Sequence, residues 1–377
     1  MRVLSPSMAS IALVLAASLG LLVQAQGQSR PRLPDRPAFS ETEQNLAVVP
    51  GMPDVRFWAD SEPDFVRALP QVPGPWLIFS GGGADGAFGS GLLNGWSQAG
   101  TRPNFAVVTG VSSGALIATY AFLGSSTDEQ LREHFTTITA ADIFEVGGTP
   151  ESLLDTWPLK SMIAKQMTPE FLAAIAAEHR KGRRLFVVTT DLDAERAVIW
   201  NMGAIAAHGS EAALKLFREV LLSSASLPGM FPPGIIETEA KGRTLQEIHA
   251  DGGLTRPFFI APDSVLAHAK SVLPPSTEFY IVLNSKVTPD FFMTDRSTVG
   301  VLARSIAVAL KAVMRSEAQR IAAVAKREGI GFNIAYITDD FTAQAHSLFD
   351  SKYMQSLFDW AVRQAKSGAV FHKEPPR

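Results

Sequence analysis

The chain has 377 residues, 46% of them hydrophobic and 19% charged, an ordinary globular composition with ample material for a large buried core. A net charge of −3 argues against a protein that works by neutralising nucleic-acid phosphates, which needs clustered Lys and Arg. The absence of Cys excludes disulfides and lipid attachment through a cysteine, so the core alone must hold the fold.

Met1 and Arg2 open a short positive segment, Ile11 to Val23 is an apolar run, and Val23-Gln24-Ala25 offers the small residues that a signal peptidase reads. The run falls short of the roughly 20 residues a membrane-crossing helix needs. Residues 1–25 are therefore expected to be a signal peptide, with cleavage after Ala25 and export to the periplasm or the medium. Residues 26–45 read as a polar, Pro- and Arg-rich flexible leader. The remainder, 46–377, reads as one domain.

Residues 55–69 suit a short irregular or helical piece. Trp76 to Phe79 is a continuous apolar run between Pro and Gly, as for a strand buried on both faces. Glycines follow, then a helix from about Ala87 to Gln98. A second run, Phe105 to Thr109, passes through a Gly-Ser turn into a helix over Gly114 to Leu123. Residues 129–180 show helical periodicity, and their end, Arg180 to Arg184 (RKGRR), is the densest basic patch, expected to cap a helix near the surface. Strands are expected at Leu185–Thr190 and Ala197–Trp200, a helix at Glu211–Leu222 and a strand at Phe279–Leu283. A long amphipathic helix over Val301–Arg327 ends at Gly329. Its apolar stripe (Val301, Ile306, Leu310, Val313, Ile321 and Val324) is expected to face the core. Phe332–Ile337 and 350–366 complete the chain as strand and helix. Strands alternating with helices predict an α/β fold of three layers, α/β/α, around a mainly parallel sheet.

Three segments carry chemistry. Gly81-Gly82-Gly83-Ala84-Asp85-Gly86 lies between a strand and a helix, where bare backbone N–H groups and a helix N-terminus face an anion. A dinucleotide cradle would need an acidic residue about 20 positions on, yet Ala87 to Thr127 holds neither Asp nor Glu. No Lys-Ser or Lys-Thr follows the glycines, which excludes a P-loop. An oxyanion hole, or a tight turn without chemistry, remains. Gly110-Val111-Ser112-Ser113-Gly114 also joins strand to helix; a serine on such a turn is pushed outward as a nucleophile, the plain alternative being a helix N-cap. Asp251-Gly252-Gly253 by itself reads as a turn, but a nucleophilic serine needs a base. The seven histidines (134, 179, 208, 249, 268, 346 and 372) are the usual sources, and His249, two residues before Asp251, stays a rival for that role.

These segments, in their order and spacing, resemble the patatin-like phospholipase family. GGGADGAFGSGLL resembles the family's glycine loop and first helix, and SSASLPGMFPP (223–233) its Ser-rich segment upstream of the catalytic Asp. The likeness spans about 75–285, followed by a C-terminal helical part over 300–370. It implies a Ser112–Asp251 dyad, an oxyanion hole from Gly82, Gly83 and Ser113, and motif glycines at 81, 86, 110, 114, 252 and 253. It further implies hydrolysis of lipid carboxylic esters, in the manner of a phospholipase A, lysophospholipase or esterase, through an acyl-enzyme with no metal or organic cofactor. The expected partners are a lipid ester and, transiently, a membrane surface. Leu227, Met230 and Phe231 are candidates for the acyl-pocket wall. The chain departs from the family at Asp85, where Arg or Lys is usual; its carboxylate is expected to cap the next helix. A catalytically silent lipid- or protein-binding scaffold is the alternative that this departure keeps open. If Asp251 is the base, partial burial must raise its pKa above the ordinary 3.9 or so.

Overall fold

A computed structural model describes residues 36–375 apart from positions 292 and 295; the expected signal peptide and the first part of the leader lie outside the described residues. Eleven strands are present among them: β1 (Arg56–Trp58), β2 (Trp76–Phe79), β3 (Val107–Val111), β4 (Glu145–Thr149), β5 (Ser152–Asp155), β6 (Arg184–Asp191), β7 (Arg196–Asn201), β8 (Gly234–Ala240), β9 (Arg243–Asp251), β10 (Glu278–Leu283) and β11 (Gly331–Tyr336). The main helices are α1 (Gly86–Gln98), α2 (Ser113–Leu123), α3 (Asp128–Thr136), α4 (Trp157–Gln166), α5 (Pro169–Arg180), α6 (Glu211–Ser224), α7 (Thr298–Glu328) and α8 (Ser351–Lys366).

The central sheet runs β1-β7-β6-β3-β2-β10-β11, with β9 also paired to β6 and β8 to β9. Its middle, β6-β3-β2-β10-β11, is parallel throughout, and β1, β7, β8 and β9 pair antiparallel. Strand residues alternate between two cores, the period-2 consequence of the pleat. Leu77, Phe79, Val108 and Val187 face one core with α1, α2, α6 and α8. Trp76, Ile78, Val107 and Phe186 face the other, with the C-terminal half of α7. Both faces are therefore covered, which explains why these strands are continuous apolar runs. The architecture is the expected three-layer α/β/α.

Several expectations need correction. The end of the supposed leader is ordered as a helix, Glu41–Leu46, closed by a capping box between Ser40 and Glu43, and Arg243 reaches Glu43 as an ion pair. The 129–180 region is interrupted by the β4–β5 hairpin, whose glycines and short apolar alternation were hidden among helical signals. The β8–β9 hairpin was likewise unforeseen. The basic patch caps a helix only in its first part: Arg180 and the C-cap Lys181 end α5 at the surface, whereas Arg184 is buried in β6 and Arg183 donates to the carbonyls of Phe105 and Phe122. The α7 stripe faces the core only in its second half. Ile321 and Val324 are buried, whereas Val301 and Val313 are 51% and 48% exposed.

Candidate active site

The site forms where β2, β3 and β10 end side by side, the place where open parallel sheets offer loops and helix N-termini to a ligand. β3 runs into α2 through Ser112, held at φ 56°, ψ −128°, a conformation that a residue with a Cβ adopts only when its surroundings enforce it. Here the surroundings are specific. The Ser112 N–H donates to Ser224 Oγ at 2.9 Å, and that hydroxyl donates to the Val188 carbonyl at 2.7 Å. Gly114 lets the backbone of α2 lie against β2: a Cβ there would sit 2.3 Å from the Ser80 carbonyl oxygen. Gly110 faces Gly114 under the same constraint.

The glycine loop leaves β2 beside this turn. Ser80, Asn284 and the loop are bound together. Asn284 N–H donates to Ser80 Oγ (2.9 Å), its Nδ2 to the Ser80 carbonyl (2.9 Å), and Gly89 N–H donates to its Oδ1 (3.0 Å). Gly82 passes so close to Asn284 that a Cβ would lie 2.0 Å from the latter's carbonyl oxygen. Gly81 abuts the Ser112 side chain, and Gly86 abuts the Phe135 ring. The loop's N–H groups are thus set by backbone packing, with Ser113 at the start of α2 on the neighbouring turn.

Asp251 ends β9, where it pairs with Thr189 of β6. Its N–H donates to the Ser226 carbonyl at 2.9 Å, and its Oδ1 accepts from Gly253 N–H at 2.8 Å. Gly252 packs on the Val188 carbonyl. The Ser112 side chain lies near enough to the Asp251 carboxylate to hold its pKa down, and the two line the same cavity. Asp251 is only 7% exposed. Burial pushes its pKa up from 3.8 to about 6, against the opposing hydrogen bonds from Ser112 and Gly253.

Ser112, Asp251 and the loop open into one cavity of about 520 Å³, walled mainly by apolar side chains that include Leu116, Ile143, Leu159, Met162, Leu227 and Phe231. Leu227 and Phe231 thus take the wall position expected of them. Met230 does not; its carbonyl accepts the N–H of Leu154 in β5. Helix α7 closes one side with Ala307, Leu310, Lys311 and Met314.

Asp85 also lines the cavity, but it does not cap α1. Its Oδ1 instead accepts the Tyr353 hydroxyl at 2.6 Å from α8. Burial raises its pKa to about 6, opposed by the Tyr353 hydrogen bond and the charge of Lys311. The capping expectation failed because the 3₁₀ turn Gly83–Asp85 turns the carboxylate away from the α1 amides.

His249 is fully buried away from the cavity. Its ring bonds Thr189 Oγ1 (2.9 Å) and Glu247 (3.2 Å) and packs edge-on to Trp200. Asp191, Glu247 and His249 come close enough to suit a metal ion, but their atoms are already engaged. Asp191 accepts the N–H groups of Asp193 and Ala194 and the Gln44 amide, and Glu247 accepts from Arg56 and Thr238. The guanidinium inside the cluster also opposes a second cation. Asn284, Tyr353 and Lys311 were not anticipated; each acts across the fold, with no local pattern to mark it, whereas Ser224 belongs to the Ser-rich segment 223–233.

Residues 77–262 match the family model for patatin-like phospholipase. No curated protein matches the chain. Among solved structures the chain is similar to that of VipD from Legionella pneumophila, at 12% identity and TM-score 0.42, over 92% of this chain and 73% of that one.

Proposed function

With a patatin-like phospholipase domain over residues 77–262, and hence a lipid acyl-hydrolase domain, we propose that this protein cleaves lipid carboxylic esters through Ser112 and Asp251. One observation carries the reading: a serine held at φ 56° and a buried carboxylate whose pKa it perturbs line one apolar cavity. The strained backbone points Oγ outward, and the carboxylate with its raised pKa is a better base than a free aspartate.

In the first step Asp251 takes the Ser112 proton as Oγ bonds to the ester carbonyl carbon. The N–H groups of Gly82, Gly83 and Ser113 hold the oxyanion, each donor worth about 10²–10³ in rate. Collapse breaks the bond to the leaving alcohol, which receives the proton from Asp251. Water then gives a proton to Asp251 and attacks the acyl-enzyme, and Ser112 Oγ leaves with that proton. The long apolar wall suits an acyl chain.

A fluorophosphonate probe tests the assignment. The wild type should be labelled and hydrolyse long-chain esters. Ser112→Ala should lose both, and Asp251→Asn should lose at least about 10³-fold in kcat/KM with its fold intact. A wild type that resists labelling would leave the scaffold reading, which Asp85 beside the glycine loop favours. Export rests on residues 1–25: the mature protein should begin just after Ala25 on N-terminal sequencing of the exported fraction.

A further inference from the structure

We propose that the N-terminal half of α7, with the segment before it, is a docking face for an anionic lipid surface at the mouth of the catalytic cavity. Six of the exposed large apolar side chains cluster here: Phe291 (89% exposed), Met293 (76%), Val301, Leu302, Val308 and Val313. Such a concentration on a soluble-type surface marks a binding site. Helical spacing turns Val301, Leu302 and Val308 away from Ala307, Leu310 and Met314, and it is the latter three that line the cavity. One helix therefore presents an apolar face to the outside and an apolar face to the catalytic pocket.

Charge selects the occupant. From Asp290 to Ser316 the sequence holds Arg296, Arg304, Lys311 and Arg315 against Asp290 and Asp295, and the helical part from Thr298 to Ser316 holds no Asp or Glu. Arg304, Lys311 and Arg315 follow one another at helical spacing between the two apolar faces. An exposed apolar face flanked by cations is the composition of a helix that lies in the interface of an anionic bilayer. No helix among the described residues is long and apolar enough to cross a membrane, and the docking proposed for α7 is along the surface. Docked this way, the face sets the cavity mouth against the lipid, and an acyl chain enters without crossing water. A second copy of the chain would bury the apolar side chains equally well but would bring the like charges together.

The reason to expect lipid at this face rests on the acyl-hydrolase reading, but its test does not. Ser112→Ala protein should co-sediment with phosphatidylcholine vesicles containing phosphatidylglycerol, more weakly with phosphatidylcholine alone, and should be released by salt. Phe291→Ser/Met293→Ser/Val308→Ser in that background should weaken vesicle binding at least about tenfold, with unchanged circular dichroism. In the active enzyme the same triple change should leave hydrolysis of a soluble short-chain ester within about twofold and reduce hydrolysis of vesicle lipid at least about tenfold. Equal vesicle binding by the parent and triple variants would overturn the proposal, as would a parent that ignores vesicles. A solution mass that falls from dimer to monomer in the triple variant, without vesicle binding, would assign the face to self-association instead.

Discussion

A buried and a half-buried carboxylate, Asp251 and Asp85, share one cavity with the same raised pKa of about 6, and their proposed roles differ. As the proposed base Asp251 must be ionised to take a proton, so in an Asp85→Asn background kcat/KM should climb with pH through a single limb centred near 6, read with a soluble ester. A limb centred near 4 would contradict a desolvated base. Asp85 becomes charged over the same range, next to the glycine loop proposed to hold the oxyanion. Asp85→Asn should therefore raise the plateau above pH 7 several-fold and change little at pH 5. The linkage to stability has a definite sign. Each group titrates near 3.8 unfolded and near 6 folded, so as pH rises the unfolded state sheds its proton first. Stability then falls between about pH 4 and 6 and levels off above. A rise from 3.8 to about 6 is worth at most about 3 kcal/mol for each group. Asp251→Asn should accordingly gain more in Tm at pH 8 than at pH 4 while losing activity, a measurable trade of stability against function.

At the scale of elements, the site depends on how close three strand ends approach one another. Ser80 and Asn284, 204 positions apart, lock β2 to β10 beneath the glycine loop. Gly82→Ala must displace the Asn284 carbonyl, since its Cβ would lie 2.0 Å away. The expected cost is about 1–3 kcal/mol of stability and at least about tenfold in kcat, by differential scanning calorimetry and ester hydrolysis. Loss of kcat with unchanged KM for a soluble ester would show that the loop serves the transition state rather than binding. The strand–turn–helix segments at 76–98 and 105–123 were legible because buried parallel strands are unbroken apolar runs and the turns use Gly and Ser. The β4–β5 and β8–β9 hairpins were not, because their half-exposed residues carry polar and charged side chains that blur the alternation.

Over the whole molecule, the edge strand β1 is tied by side chains to β9, another antiparallel strand of the same sheet. Arg56 in β1 pairs with Glu247 in β9, which is fully buried and also held by Thr238 and His249. Burial pushes the Glu247 pKa up, but hydrogen bonds from His249 and Arg56, with the Arg56 charge, bring it down to about 2. Its stabilisation is present above about pH 4.5 and lost as the pH falls towards 2. Arg56→Ala would leave that carboxylate buried without its cation and should cost about 3–5 kcal/mol, measured by urea unfolding at pH 7. His249 belongs to this cluster, so His249→Ala should lower stability and leave the pH–rate profile unmoved.

The residues themselves dictated the parallel α/β core, the glycine loop and the turns at Ser112 and Asp251, because period-2 burial and turn chemistry are written in neighbouring positions. Tertiary structure alone decided that Asp251 and Ser112 line one cavity, that Asp85 answers Tyr353 rather than a helix end, that His249 is sealed behind Glu247, and that half of α7 faces outward. Those outcomes depend on which distant groups desolvate or hydrogen-bond a side chain, and contacts between elements far apart in the chain leave no local pattern.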